Sequence, residues 1–180
     1  MFFVVISIKH FIIITIIILL FLLGILIYQK ENKKNKLFIT QVMYKLMKEK
    51  MENVEYSDNK KLYDISFKNN NRNFFIKIYK GGPKKGLIMT NPTTLYEQTY
   101  SSEYGSSKKS EHAVKLTPFL VEPLNGIKII LIKNNMLRIT KYINENEIEE
   151  VRYNEPSFNT YIVQEKDLDK FLELVKKKKK

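Results

Sequence analysis

The chain has 180 residues, no Cys, two His and a formal net charge of +12. The lack of Cys rules out disulfides, thiolate zinc sites and cysteine nucleophiles, and with His10 in an apolar run a histidine base could only be His112. The charge resembles a nucleic-acid signal until it is located. From Leu37 to Val175 there are 21 basic and 18 acidic residues, only +3, so much of the excess sits at the two ends.

Phe11 to Tyr28 reads FIIITIIILLFLLGILIY, eighteen residues without a formal charge. At ~1.5 Å per residue they span ~27 Å, close to a hydrocarbon core of about 30 Å. The run is longer than the apolar region of a secretory signal, and no small-x-small cleavage site follows it. Residues 1–28 are therefore expected to form an uncleaved membrane anchor. Lys30, Lys33, Lys34 and Lys36 follow it directly, in a polar stretch (29–36) that reads as a basic juxtamembrane linker. Such lysines each contribute about 1 kcal/mol near an anionic leaflet, so anionic lipid headgroups are the expected partners. Against these four stand Lys9 and the amino terminus before the run, so by the positive-inside rule the rest of the chain is expected in the cytoplasm.

Residues 37–175 have the length of one domain, followed by a poly-Lys tail at 176–180. Leu37 to Met51 carries apolar residues at Leu37, Val42, Met43, Leu46 and Met47, the spacing of an amphipathic helix ending near Asn53. Lys61 to Lys68 and Asn73 to Lys80 alternate and are rich in aromatic and β-branched residues. With turn chemistry at Asn69 to Asn73, they predict a β-hairpin. GGPKKG (Gly81 to Gly86) reads as a hairpin turn, with a third strand over Leu87 to Thr90.

Asn91 to Ser110 has no clean period and is expected to be a long loop or a weak helix. Pro118 makes Ala113 to Val121 an edge strand or an irregular segment. GIKIILIK (Gly126 to Lys133) is the strongest strand, its Ile/Leu run suiting a central strand covered on both faces. Met136 to Tyr142 is expected beside it, and Glu145 to Val151 as one or two helical turns. Tyr161 to Val163 reads as a short strand, and Glu165 to Val175 as a helix with Leu168, Phe171, Leu172 and Val175 on one face. The order predicts an α+β (or α/β) domain around a mixed central sheet flanked by helices.

Charge within the domain is uneven. Lys60 to Lys141 holds 15 basic and five acidic residues, Tyr142 to Glu173 three basic and nine acidic. A basic strand region interleaved with Tyr and Phe is compatible with a polyanion such as nucleic acid, and more readily with solvated sheet faces. GGPKKG has no following Ser/Thr at a helix start and is not a P-loop. Ser110, Glu111 and His112 are adjacent in sequence, but no nucleophile elbow accompanies them. Glu145, Glu147, Glu149 and Glu150 lack the spacing of a calcium loop and read as a solvated face.

LYDISF, a turn, FFIKIYKGG, Asn91-Pro92 with Gln98, GIKIILIKNNMLRI and TYIVQEKDLDKFLEL together resemble the layout of nuclease-related (NERD-type) domains, over roughly Leu37 to Leu174. That resemblance implies the restriction-endonuclease-like fold. In that family an Asp on one strand and a Glu-x-Lys on the next hold Mg²⁺, which polarises the phosphodiester and activates a water. Asp64 matches the Asp. The Glu-x-Lys position reads Lys77-Ile78-Tyr79, or Ile76 with the register slid, and an ammonium cannot replace a carboxylate as a metal ligand. Lys80 is a nearby lysine without a Glu two residues before it.

Two functions follow as expectations. The first is a non-catalytic binding or scaffold module at the membrane, needing no cofactor and contacting nucleic acid or a membrane protein partner. The second is a Mg²⁺-dependent nuclease built on Asp64, Lys77 and Lys80, with Glu55, Asp58 or Glu97 supplying the second carboxylate. Lys77 and Tyr79 share a strand face with Phe75, expected to be an exposed polar face. A third possibility, an outward-facing domain, would make cell-envelope polymers the natural partners.

Overall fold

In the computed structural model the described residues are 8–57, 62–101, 107–144 and 147–177. The chain divides into two compact units, residues 1–42 and 43–180. The fold is α+β: one long apolar N-terminal helix, two mixed sheets and a few short helices.

The first unit is helical. Helix α1 (Ile8–Lys48) runs without interruption through residues 29–36, so the expected linker is helix. That segment contains no Gly or Pro, and its Lys, Glu and Gln residues are good helix formers. The side chains from Ile12 to Tyr28 are exposed. The best 18-residue window of the helix has a mean hydropathy of 2.9, long and apolar enough to cross a membrane.

The second unit opens with the last turns of α1, where Leu46 is buried and Met47 exposed. Two five-stranded sheets follow. The first contains β1 (Glu52–Tyr56), β2 (Ile65–Asn69), β3 (Arg72–Lys80), β7 (Ile127–Lys133) and β10 (Thr160–Gln164), in that spatial order. The second contains β4 (Lys85–Asn91), β5 (Thr94–Tyr100), β6 (Ser107–His112), β8 (Arg138–Asn144) and β9 (Glu147–Glu150), ordered β6-β5-β4-β8-β9.

The expected hairpin is β2–β3, pairing Ile65 with Ile76 and Asn69 with Arg72. Its turn residues Asn70 and Asn71 both adopt positive φ, which Asn tolerates better than most residues. The Ile/Leu strand is β7, flanked in parallel by β3 and β10, with Ile129 to Ile132 all buried.

A shared corner joins the two sheets. Strands β3 and β7 pair in parallel in the first sheet, and their continuations β4 and β8 pair in parallel in the second. At the bend the Gly81 N–H donates to the Lys133 carbonyl at 2.6 Å, and the Leu137 N–H to the Lys85 carbonyl at 2.8 Å. A Cβ on Gly81 would lie 2.3 Å from the Asn134 oxygen, so only glycine fits. GGPKKG is thus a sheet-to-sheet crossing and not a hairpin turn. For the same reason β8 lies beside β4, not beside β7 as expected.

Between the sheets lies an apolar core of Leu87, Met89, Leu95, Phe119, Ile130, Ile132, Ile139 and Ile162 among others. The opposite face of the first sheet carries α3 (Leu168–Lys177), whose Leu168, Phe171, Leu172 and Val175 are all buried, as the spacing predicts. The Phe171 ring lies 5.2 Å from that of Tyr161.

Three further expectations are corrected. Asn91 to Ser110 contains β5 and β6; the inward Glu97 breaks the apolar alternation of one, and the other is an edge strand without an apolar residue. Ala113 to Val121 is a 3-10 turn (Val114–Leu116) and a short helix α2 (Thr117–Val121), because Pro118 sits at the helix start, where its missing N–H has no cost. Glu147 to Glu150 is a fully exposed edge strand and not a helical turn; Glu145 lies outside the described residues.

Candidate functional site

Asp64 ends the β1–β2 connection, one residue before β2 pairs with β3. Its backbone N–H donates to the Ile76 carbonyl at 2.8 Å and its carbonyl accepts from Ser57 at 3.0 Å. Its carboxylate Oδ2 accepts the Ile78 N–H at 2.7 Å, and Lys77 Nζ lies 3.5 Å from Oδ1. The carboxylate therefore completes the ladder of β3 just where β2 begins. Both side chains are nearly buried, Asp64 14% and Lys77 10% exposed. Strand alternation puts Phe75, Lys77 and Tyr79 on one face, in register with Lys128, Ile130 and Ile132. That face looks into the core between the sheets. The expected exposed polar face is therefore an interior one.

Lys80, on the other face at the end of β3, is exposed. Of the carboxylates that might have joined Asp64, Glu55 is exposed on β1, and Asp58 lies outside the described residues. Glu97 has partners of its own. Its Oε2 accepts the Tyr79 hydroxyl at 2.9 Å, and its Oε1 pairs with Lys85 Nζ at 2.7 Å. Register places Glu97 opposite Leu87, facing the core, so the trio links β3 to β4 and β5 at the part-buried edge of the core. Burial raises the Tyr79 hydroxyl well above the usual tyrosine range, and the Glu97 hydrogen bond and charge raise it further. Sequence reasoning named Glu97 but missed this trio. The alternation of Leu95 and Glu97 on one face of β5 is the signal that points to it.

Lys128, on β7, is partly buried. Its Nζ donates to the Leu120 carbonyl at 2.6 Å and sits 5.8 Å from the centre of the Phe119 ring. Burial lowers its pKa, partly opposed by Glu122. The bond satisfies a carbonyl at the end of α2, which has no following turn to receive it. His112 is exposed on β6 with its ring 5.6 Å from that of Tyr96, directly across the ladder. Among the described residues, no three His, Asp or Glu side chains converge as a metal-ligand group.

On α1, Lys30, Lys33, Lys34 and Lys36 are all exposed and follow the apolar run within eight residues of Tyr28. Of the expected poly-Lys tail, Lys176 ion-pairs with Glu49 and Lys177 is exposed; 178–180 lie outside the described residues. Comparison with known protein families, curated protein sequences and solved structures finds no match to the chain.

Proposed function

We propose that the chain is a single-pass membrane protein whose α+β unit is a non-catalytic binding or scaffold module, held near an anionic leaflet on the cytoplasmic side. The observation that carries this reading is the occupation of Asp64. Its Oδ2 takes a part-buried backbone N–H and an ammonium stands by Oδ1, so the carboxylate completes a strand ladder. A carboxylate so engaged would have to give up the Ile78 N–H, and accept Lys77 beside the ion, before it could bind Mg²⁺. Support for the membrane part is the exposed apolar helix with four exposed lysines directly after it.

The test is metal-dependent cleavage of DNA and RNA by the full chain reconstituted in vesicles, beside Asp64→Ala. The expected result is no Mg²⁺-dependent cleavage by either protein above that of empty vesicles. Cleavage that Asp64→Ala abolishes, with the variant folded, would make the chain a membrane-tethered nuclease instead.

A further inference from the structure

Among the described residues the two sheets end in four edge strands, β1, β10, β6 and β9. Three of them are closed to a second copy of themselves. In β10, Thr160 to Val163 are buried, so that edge is covered. In β1 the register breaks between Glu52 and Glu55, where Asn53 has positive φ, and such a bulge turns an edge away from partners. β9 reads Glu147-Ile148-Glu149-Glu150, so against a copy of itself carboxylate would face carboxylate in every register.

β6 is different. Lys109, Ser110, Glu111 and His112 are all exposed. The Ala113 N–H donates to the Leu95 carbonyl at 2.8 Å, which fixes the alternation of the ladder between β6 and β5. By that alternation Lys109 and Glu111 turn their backbone groups to β5, and Ser110 and His112 turn theirs outward. A further strand can bond only to the outward groups.

We propose that β6 is a dimerisation edge, through which two copies of this chain pair antiparallel to make one ten-stranded sheet. Charge selects the register. With Ser110 opposite Ser110 of the second copy, Lys109 comes opposite Glu111 twice, once on each side of the two-fold axis. Sliding one strand by two residues sets Lys109 against Lys109 in one direction and Glu111 against Glu111 in the other, and like charges directly opposite destabilise a pair. The strand is thus self-complementary about Ser110.

In that register the two Ser110 residues exchange both backbone bonds. The Lys109–Glu111 pairs fall at non-hydrogen-bonded positions, where Cα atoms are ~4.5 Å apart and side chains are closest. Within one copy Lys109 Nζ lies 2.5 Å from Glu111 Oε1, with these side chains 67% and 61% exposed. Side chains so exposed can turn to a second strand without unpacking anything, and an ammonium has three N–H donors to share between two carboxylates.

Four residues of edge extend only about 14 Å. Such a contact falls well short of the about 800 Å² per partner of a stable soluble complex. It needs copies held at high local concentration, which a shared membrane supplies. To that extent the inference rests on the membrane-anchor reading; it is independent of whether the unit cleaves nucleic acid. A two-fold contact closes on itself, so assembly stops at the dimer.

The test exploits the absence of Cys from the chain. Ser110→Cys gives the full chain in vesicles a single thiol, at a position where paired Cα atoms ~5.5 Å apart suit a disulfide. With copper–phenanthroline as oxidant, a band at dimer mass is expected, formed roughly fivefold or more faster than with Ile148→Cys on β9. Adding Lys109→Glu or Glu111→Lys to Ser110→Cys puts like charges at both pairs and is expected to lower the dimer yield by about fivefold. A 1:1 mixture of those two variants is expected to recover it, because between unlike copies every pair is again Glu opposite Lys. Circular dichroism confirms that each variant is folded. A Ser110→Cys yield no better than that of Ile148→Cys, indifference to both charge changes, or no recovery in the mixture overturns the proposal. If alkali extracts the chain from the same vesicles, the anchor reading falls with it; a chain that stays in the pellet without Ser110→Cys cross-linking loses the dimer alone.

Discussion

The carboxylate of Asp64 accepts the Ile78 N–H at 2.7 Å, one residue before β2 begins its pairing with β3. A side chain there does the work of a strand residue. Buried N–H groups left without an acceptor lose about 1–3 kcal/mol. Asp64→Ala is therefore expected to destabilise the α+β unit by roughly that amount, read as a lower urea midpoint. Asp64→Asn retains a side-chain oxygen that can accept from Ile78 and is expected to lose less. Equal losses in the two variants would mean that the hydrogen bond is not what Asp64 contributes.

Tyr79 and Glu97 give the unit a pH dependence on the alkaline side. The Tyr79 hydroxyl titrates higher in the folded chain than in the unfolded one, through burial first and Glu97 second. The folded state then holds a proton that the unfolded state has lost. The stabilisation is fully present below about pH 10, the unfolded value, and declines as pH rises beyond it, at no more than ~1.4 kcal/mol per pH unit. Chemical denaturation between pH 8 and 11 is expected to show this decline. In Tyr79→Phe the slope should be shallower, because the group that titrates is gone. An unchanged slope would place the alkaline sensitivity in other tyrosines or lysines.

What was legible in the sequence followed from how strongly each segment's side chains repeat. Ile127 to Lys133 and Leu168 to Val175 carry apolar residues at every position their burial requires, so strand and helix were readable directly. The β2–β3 hairpin was readable from its Asn-rich turn. Strands β5, β6 and β9 were not, because Glu97 points inward and Glu147 to Glu150 have no buried face at all. The corner at Gly81 was invisible for a different reason. Its requirement comes from the Asn134 carbonyl, 53 residues away, and nothing local announces that approach. Of the site, Asp64 and Lys77 were named and the structure brings them together, but their near-burial depends on a second sheet that the sequence did not reveal.

That corner yields a sharp contrast between adjacent glycines. A Cβ at Gly81 would meet the Asn134 oxygen at 2.3 Å and the Ile132 side chain at 2.7 Å, whereas at Gly82 the nearest atom is the end of Lys85 at 3.6 Å. Gly81→Ala is expected to force the two parallel strand pairs apart, a loss of about 3 kcal/mol or more, with poor recovery of folded protein. Gly82→Ala should be nearly neutral in thermal melting. If Gly81→Ala melts like the parent, the close approach of β3 to the Asn134 loop is not a constraint on the fold.

The apolar helix makes the membrane part testable without reference to the domain. Leu19 lies near the middle of the uncharged run from Phe11 to Tyr28 and its side chain is exposed. An arginine at a helix centre disfavours insertion by about 2.5–3.5 kcal/mol, and the leucine it replaces contributed about 0.5 kcal/mol in favour. Leu19→Arg is expected to shift a substantial fraction of the chain from the alkali-resistant membrane pellet to the supernatant. Orientation depends on different residues, the lysines just past the run. Changing Lys30, Lys33, Lys34 and Lys36 together to Gln removes the bias that favours a cytoplasmic domain. Protease protection of the domain in sealed vesicles should then change from uniform to mixed, while the chain stays in the pellet. If the four-Gln variant keeps the parental protection pattern, the lysines do not set the topology.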